Sequence, residues 1–406
     1  MKNIESSDKL KIVHSDIRGP VFERAQEMGR QGIEVMKLNT GNPATFGFGM
    51  PESVKKALLE NADKAVGYCD HKGMPAARQA LLEYHLSRGL QDINIDDIFL
   101  GNGVSELAPM LCDSILSAGD EMLMPMPGYS LWSNSCYLAG AKPVFYRCDE
   151  ESDWYPDLAD MERKLSPRTK AVLMINPNNP TGQVYAPELV EQVAQFCRDH
   201  ELLLISDEIY DRLIVGDVPF RSTAALAPDL PVVTLNGLSK SHIICGFRCG
   251  WAVISGPREY TKELHANFNK LCSMRLCANA LTQLVVPAAM NDPDSTIAMM
   301  SPGGRIYEQR KAAIAALDQL QDEGILSYRR PNAAFYVFPK IDPKFNIRDD
   351  RKFARDLLEA KHILLVGGTG FNWPDPDHFR LVLLPEAQKL HDAILEIGDF
   401  LKTYRQ

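Results

Sequence analysis

No uncharged apolar run in this 406-residue chain approaches the ~20 residues that a membrane-spanning helix needs. The opening stretch, MKNIESSDKLKIV, has no apolar segment of the signal-peptide kind, so a cytoplasmic protein is expected. Positive charge is in deficit: 44 Lys and Arg face 53 Asp and Glu, for a net charge of −9. That balance excludes non-specific nucleic-acid binding, which needs clustered cations, but not a local basic pocket for a small anion. The nine cysteines include no Cys-x-x-Cys pair, and the wider pairs Cys245/Cys249 and Cys272/Cys277 have no matching histidines. A zinc site is therefore not expected, and the cysteines read as buried, reduced thiols. Internal repeats and low-complexity stretches are absent as well. So is the phosphate-binding pattern GxxxxGK[ST].

What is present is ordinary globular composition, 45% hydrophobic and 24% charged, in a chain long enough for two packed domains. Apolar runs at 98–100, 121–124, 143–147, 171–175, 202–206, 232–235 and 251–254 predict strands. Several are apolar throughout, as strands covered on both faces of a parallel sheet are. Between two of them, 187–200 carries Leu189, Val190, Val193, Phe196 and Cys197 at helical spacing behind Pro187, a residue suited to a first helical turn. Alternating strands and helices predict an α/β sheet. From about Gly303 the pattern changes to long polar helices with strands at 334–338 and 379–384. The expected division is a large domain, 46–302, and a smaller α+β domain made of 1–45 and 303–406.

Ligands of such sheets gather at the carboxyl ends of the strands, and the unusual residues collect there. Gly101-x-Gly103 alone describes any strand-to-helix turn. Followed by Val104-Ser105-Glu106 and an apolar stretch, it becomes a helix N-terminus whose free N–H groups attract an anion. It is no dinucleotide fingerprint, because Glu106 stands where the third glycine belongs. The segment 176–182, Asn-Pro-Asn-Asn-Pro-Thr-Gly, reads either as a rigid turn or as a functional loop. Asp207 closes a buried strand, where a carboxylate must be paired or serve a ligand. Ser239-Lys240 follows another strand, and Gly246-Phe247-Arg248-Cys249-Gly250-Trp251 comes shortly after.

Asn-Pro-x-Asn-Pro-Thr-Gly, Asp-x-x-Tyr and Ser-Lys with Gly-x-Arg-x-Gly-Trp, in this order and spacing, resemble the class I/II aminotransferases of fold type I. The resemblance covers essentially the whole chain. It is strongest to the bacterial alanine aminotransferases that use glutamate as partner donor. Asp16-Ile17-Arg18-Gly19-Pro20, Gly41-Asn42-Pro43, Gly67-Tyr68-Cys69-Asp70, Arg275-Leu276-Cys277-Ala278-Asn279 and Phe371-Asn372-Trp373-Pro374 support it.

The resemblance implies pyridoxal 5'-phosphate as cofactor, covalently held by Lys240, which would also shuttle the proton. It implies that Asp207 pairs with the pyridine nitrogen, that Tyr210 and Asn179 bond the phenolic oxygen, and that Tyr129 stacks on the ring. Backbone amides of Val104 and Ser105, with Ser239 and Arg248, would hold the phosphate. Tyr68 would reach the neighbouring subunit's phosphate, which implies a homodimer with shared sites. Arg380 would clamp the substrate carboxylate, helped by Asn179 and Gly41. The implied reaction is ping-pong transamination between alanine and 2-oxoglutarate. Rivals on the same scaffold are a branched-chain or aromatic transaminase and a β-C–S lyase. A regulator with a transaminase-like sensor would need a DNA-binding module before Asp16. The second carboxylate of glutamate would require its own cation. Arg18, beside the turn pair Gly19-Pro20, is the candidate, carried on a lid; the alternative is a surface arginine paired with Asp16. The chain departs from the family at Gly237, where a serine is frequent, at Ser15, where an aromatic is expected, and at His242, where tyrosine is usual; Tyr129 stands in place of an indole.

Overall fold

The computed structural model describes residues 3–216, 218–292 and 296–406. Its centre is an eight-stranded sheet. In chain order the strands are β1 (Ile98–Gly101), β2 (Glu121–Met126), β3 (Lys142–Asp149), β4 (Tyr155–Pro156), β5 (Thr169–Ile175), β6 (Leu203–Asp207), β7 (Val232–Gly237) and β8 (Gly250–Ser255). Their spatial order is β1-β8-β7-β6-β5-β2-β3-β4. The run from β7 through β6, β5 and β2 to β3 is parallel, whereas β8 is antiparallel to both of its neighbours. All seven strands expected in this part of the sequence are in the sheet. The eighth, β4, is two residues long and includes Pro156, which a sheet tolerates at an edge.

The two-residue period of a strand explains why these runs are apolar throughout. Leu123, Val172, Leu204 and Val232 face one core, together with Leu189, Val190, Val193 and Cys197 of the helix Pro187–Asp199. Their neighbours Met122, Met124, Leu173, Ile205 and Val233 face another core. That second face is covered by α1 (Val104–Ile115), by α2 (Ser130–Leu138) and by the helix Arg258–Arg275. The result is an α/β sandwich of three layers. All nine cysteines are free; six are buried as expected, but Cys69, Cys245 and Cys277 are half-buried because they lie on loops outside the sheet.

A further core joins the helices Arg305–Asp322, Asp350–Lys361 and Ala387–Thr403 to a small antiparallel sheet. In that sheet β11 (Phe379–Val382) lies between β9 (Tyr336–Val337) and β10 (Val366–Gly367). The sequence pattern overestimates these strands, since 334–338 and 379–384 include buried apolar residues that flank the ladder and make only single backbone bonds, such as that from the Leu383 N–H to the Phe335 carbonyl at 2.9 Å. Phe338, Val366, Phe371 and Trp373 pack into the first core of the large sheet, so apolar contact is continuous between the two parts. Among the described residues, no helix is long and apolar enough to cross a membrane.

Candidate active site

The carboxyl ends of β7, β6, β5 and β2 are neighbours in the sheet, at a spacing of about 4.8 Å per strand. They bring Lys240, Asp207, Asn179 and Tyr129 side by side, although 111 residues separate the first from the last (240 less 129). The register is direct: Ile175 pairs with Asp207, and Asp207 with Leu235.

Asp207 is buried, and its carboxylate is held by two donors. The Trp132 indole N–H donates to Oδ2 at 2.9 Å, and the Ile209 backbone N–H to Oδ1 at 3.3 Å. Among the described residues, no cation lies within ion-pair distance. Burial pushes its pKa up to about 6, against the two hydrogen bonds, which pull it down. Trp132 was not singled out from the sequence. It lies one helical turn beyond Tyr129 at the start of α2, on the face that turns toward the sheet.

Arg380 on β11 is the opposite case, a guanidinium only 1% exposed. Nη1 donates to Asn179 Oδ1 at 2.9 Å and Nη2 to the Asn39 carbonyl, while Nε has no partner. Its planar group is sandwiched between the rings of Tyr336 and Phe371, 4.4 and 4.5 Å from their centres. No carboxylate pairs with it among the described residues, and desolvation lowers its pKa. Accepting through Oδ1 leaves the Asn179 amide nitrogen as a donor. The other asparagines of that loop build its turn. Asn176 Oδ1 accepts from the Tyr185 N–H at 2.9 Å, and Asn178 Oδ1 from the Thr181 hydroxyl at 2.9 Å. The segment is thus both a rigid turn and a site loop.

Lys240 is half-buried in the short helix Leu238–Ser241. Its Nζ donates to the Gly41 carbonyl at 2.5 Å and lies 5.3 Å from the centre of the Phe335 ring. Gly41 must be glycine, since a Cβ there would lie 2.2 Å from the Tyr336 hydroxyl. The Tyr210 and Tyr336 hydroxyls are 3.1 Å apart. Tyr129 is half-buried at the mouth of α2. Burial raises its phenol pKa, Tyr336 and Asp207 add to this, and the charges of Arg380 and Arg18 oppose it. In the sequence Tyr336 of β9, and Phe335 just before it, read only as strand residues.

At the other end, α1 starts at Gly103, whose φ of 82° favours glycine. A Cβ on Gly103 would lie 2.6 Å from Arg248 Nη2, so the Arg248 guanidinium rests against the start of α1, beside the free N–H groups of Val104 and Ser105. Glu106 explains the missing third glycine. It accepts from the Asn102 N–H at 2.8 Å and pairs with Arg275 at 2.6 Å, building the turn. Gly237 has a similar local cause: a Cβ there would meet the Cys249 carbonyl oxygen at 2.7 Å, which leaves no room for serine. Ser239 is half-buried in the turn before Lys240. His242 is buried and donates or accepts only within the protein, with Arg212 Nη1 at 2.9 Å and the Ala289 carbonyl at 2.7 Å.

Tyr68 stands apart from this constellation, 85% exposed. Val66, Met274 and Leu276 are exposed as well, and a 2.7 Å bond between His71 and Asn269 ties the segment after Tyr68 to the helix Arg258–Arg275, which carries Met274. Arg18 is exposed in the short turn Asp16–Arg18, and Asp16 does not pair with it. Asp16 instead meets Arg351 at 3.0 Å, on the helix that packs beneath. The Ile17 carbonyl accepts from Asn39 Nδ2 at 3.0 Å, so Arg18 sits on a segment tied to the residue whose carbonyl also accepts from Arg380. A groove lined by Glu34, Lys37, Arg305, His362, Glu386 and Lys389 includes none of these residues.

Residues 33–395 match the family model of aminotransferases of class I and II. The chain is 44% identical to the glutamate-pyruvate aminotransferase AlaA of Escherichia coli over 407 residues, covering all of both chains. It is 43% identical to the alanine aminotransferase of Mycobacterium tuberculosis over 402 residues, 98% of this chain and 93% of that one. In structure it is similar to a crystal structure of an E. coli aminotransferase, with a TM-score of 0.97, 44% identity and full coverage of both. It is also similar to an alanine aminotransferase of Pyrococcus furiosus, with a TM-score of 0.92, 33% identity and coverage of 98% and 100%.

Proposed function

We propose that this chain, which belongs to the class I and II aminotransferases, moves an amino group between alanine and 2-oxoglutarate, giving pyruvate and glutamate. One observation carries the reading. The site holds a buried carboxylate and a buried guanidinium, Asp207 and Arg380, and neither has a counter-ion among the described residues. Buried charges need partners, so the pocket is built for a ligand with a cationic group at one end and a carboxylate near the other. Pyridoxal 5'-phosphate with an amino-acid substrate has both, and the full-length relatives that act on glutamate, pyruvate and alanine fix the substrate class.

The cofactor, when bound, supplies a carbonyl that takes the amino group and a ring that accepts electrons. Lys240 would hold it covalently, and its amine would then carry the proton between the substrate α-carbon and the cofactor carbon that takes the amino group. Asp207, fixed by Trp132, would keep a proton on the ring nitrogen. Tyr210 and the free amide N–H of Asn179 would donate to the phenolic oxygen, and Tyr129 would cover the ring face. The start of α1 at Val104 and Ser105, with Arg248 and Ser239, would receive the phosphate, a helix end and a guanidinium being natural anion partners. Arg380 would bind the substrate α-carboxylate, aligned by Asn179 and with the Gly41 backbone alongside.

The same reading assigns Arg18 to the second carboxylate of glutamate, and the bond that ties its neighbour Ile17 to Asn39 supports this. It assigns Tyr68 to the site of a second copy of the chain. The exposed apolar residues Val66, Met274 and Leu276 support a homodimer with shared sites. Residues 46–302 would form the cofactor-binding domain, and 1–45 with 303–406 the smaller one, in line with the large sheet lying in the former and most of the further core in the latter. A cytoplasmic location suits nine free thiols.

The test is an assay of cofactor-loaded protein against a panel of amino acids and oxo-acids. Turnover of alanine with 2-oxoglutarate is expected. Preference for branched-chain or aromatic substrates would replace the substrate assignment, and release of pyruvate and ammonia without an oxo-acid would show a β-C–S lyase.

A further inference from the structure

We propose that Tyr336 is a positioning residue whose hydroxyl sets the hydrogen bond made by Tyr210 and whose ring holds one face of the Arg380 guanidinium. The inference rests on the reading of the site as a pyridoxal-phosphate pocket and extends it to a residue that reading does not use.

Tyr336 is 2% exposed, on the short strand β9, where pairing with Val382 fixes its backbone. Three separate contacts converge on it. Its hydroxyl is 3.1 Å from that of Tyr210, and the two rings meet edge to face with centres 5.6 Å apart. Its ring face lies 4.4 Å from the Arg380 Cζ, opposite Phe371. Its hydroxyl occupies the volume where any side chain at position 41 would start. One rigid side chain therefore touches the proposed cofactor-tuning hydroxyl, the proposed carboxylate clamp and the backbone that accepts from Lys240.

A phenolic hydroxyl has one proton to donate and can accept as well. When Tyr336 donates to Tyr210, the Tyr210 proton is free to point at the oxygen in front of it, and accepting a bond strengthens the bond it donates. Without the Tyr336 hydroxyl, Tyr210 loses both its orientation and this polarisation. Donation to the cofactor's phenolic oxygen withdraws electron density and keeps the chromophore's proton acidic. Weaker donation must then move the colour change of the bound cofactor to higher pH. The ring has a different task. It desolvates the planar guanidinium and clamps it against Phe371, which fixes the direction in which the remaining donors of Arg380 point.

The experiment compares cofactor-loaded wild type, Tyr336→Phe, Tyr336→Leu, Tyr210→Phe and the double variant Tyr210→Phe/Tyr336→Phe. It reads the absorbance of the bound cofactor against pH, together with KM and kcat. Tyr336→Phe keeps the ring, so KM for alanine and glutamate should hold while the colour change rises by about 0.3–1 pH unit, the scale of one hydrogen bond. Tyr210→Phe should rise further, and the double variant no further than Tyr210→Phe alone, because Tyr336 acts through Tyr210. Tyr336→Leu should also raise KM for amino acids and oxo-acids alike by about 3- to 10-fold, the scale of a lost guanidinium–aromatic contact. An unmoved colour change in Tyr336→Phe, or full additivity in the double variant, would overturn the hydroxyl's role. Unchanged KM in Tyr336→Leu would overturn the ring's role. If wild type itself took up no coloured cofactor, the proposal would fall together with the reading beneath it.

Discussion

Replacing Asp207 by asparagine should move stability and activity in opposite directions. Among the described residues no cation pairs with the buried carboxylate, and burial pushes its pKa up to about 6 from an ordinary 3.8. That difference of about 2 pH units, at about 1.36 kcal/mol each, means that ionised Asp207 costs the cofactor-free fold on the order of 3 kcal/mol. The folded pKa is raised, so between about pH 4 and pH 6 the folded state binds more protons than the unfolded one. Stability therefore falls as pH rises through this window, and the whole cost is present above it. Asparagine carries no charge and escapes the cost. It keeps the bond from Trp132 through its amide oxygen, but turns an NH2 group toward the Ile209 N–H, a loss of about 1 kcal/mol. Urea unfolding of cofactor-free protein should then show the variant more stable by about 1–2 kcal/mol at pH 8 and no such gain near pH 4. With cofactor bound, the same change removes the group that holds the ring proton, and turnover should fall on the order of 10²-fold or more. A variant less stable than wild type at pH 8, or a gain that does not vary with pH, would refute the account of Asp207 as an unpaired buried charge. Near-normal turnover would refute its role.

Three further outcomes test the rest of the site. Loaded wild type should be yellow, and borohydride should fix the colour to Lys240; appreciable amino-acid turnover by Lys240→Ala would end the central assignment. Arg18→Ala should lower kcat/KM for glutamate and 2-oxoglutarate by roughly 2–4 kcal/mol, with alanine and pyruvate little affected, as when one partner of a buried charge pair is removed. Equal losses for both substrate pairs would show that Arg18 acts through folding or the cofactor, and no loss would return it to the surface. Mixing Tyr68→Phe with Lys240→Ala should give activity above either parent, because one site of a mixed dimer regains both residues; an active monomer would exclude shared sites.

The large sheet is legible in the sequence because its strands are covered on both faces and so have little freedom to be polar. The residues at their carboxyl ends stand out for the same reason: Asp207, Asn179 and Lys240 are polar positions where apolar runs stop. What the sequence hides is what those residues lean on. Trp132 and Tyr336 are apolar-looking members of regular elements, and nothing in their spacing separates a core ring from one whose edge or hydroxyl serves the site. The small sheet is overestimated for a related cause, as burial makes the residues that flank its short ladder apolar too. Glu106 and Gly237 read as exceptions to motifs. Their reasons, an ion pair with Arg275 and the closeness of Cys249, lie across more than 160 residues and between adjacent strands.

Asp207 and Arg380 together show where the fold spends its stability. Each is nearly inaccessible, each has neutral hydrogen-bond partners, and among the described residues neither has a counter-charge. Neutral donors and aromatic faces fix the two groups in place without satisfying them. A counter-ion from the protein would stabilise the empty fold, but it would compete with the ligand for the same charge. Leaving both charges unpaired makes binding, rather than folding, the event that neutralises them, and it sets the polarity of the pocket before anything enters. That arrangement also explains why the supporting groups are a buried indole, a backbone N–H, a side-chain amide, a backbone carbonyl and two ring faces: each holds a charge by geometry while adding no opposite charge of its own.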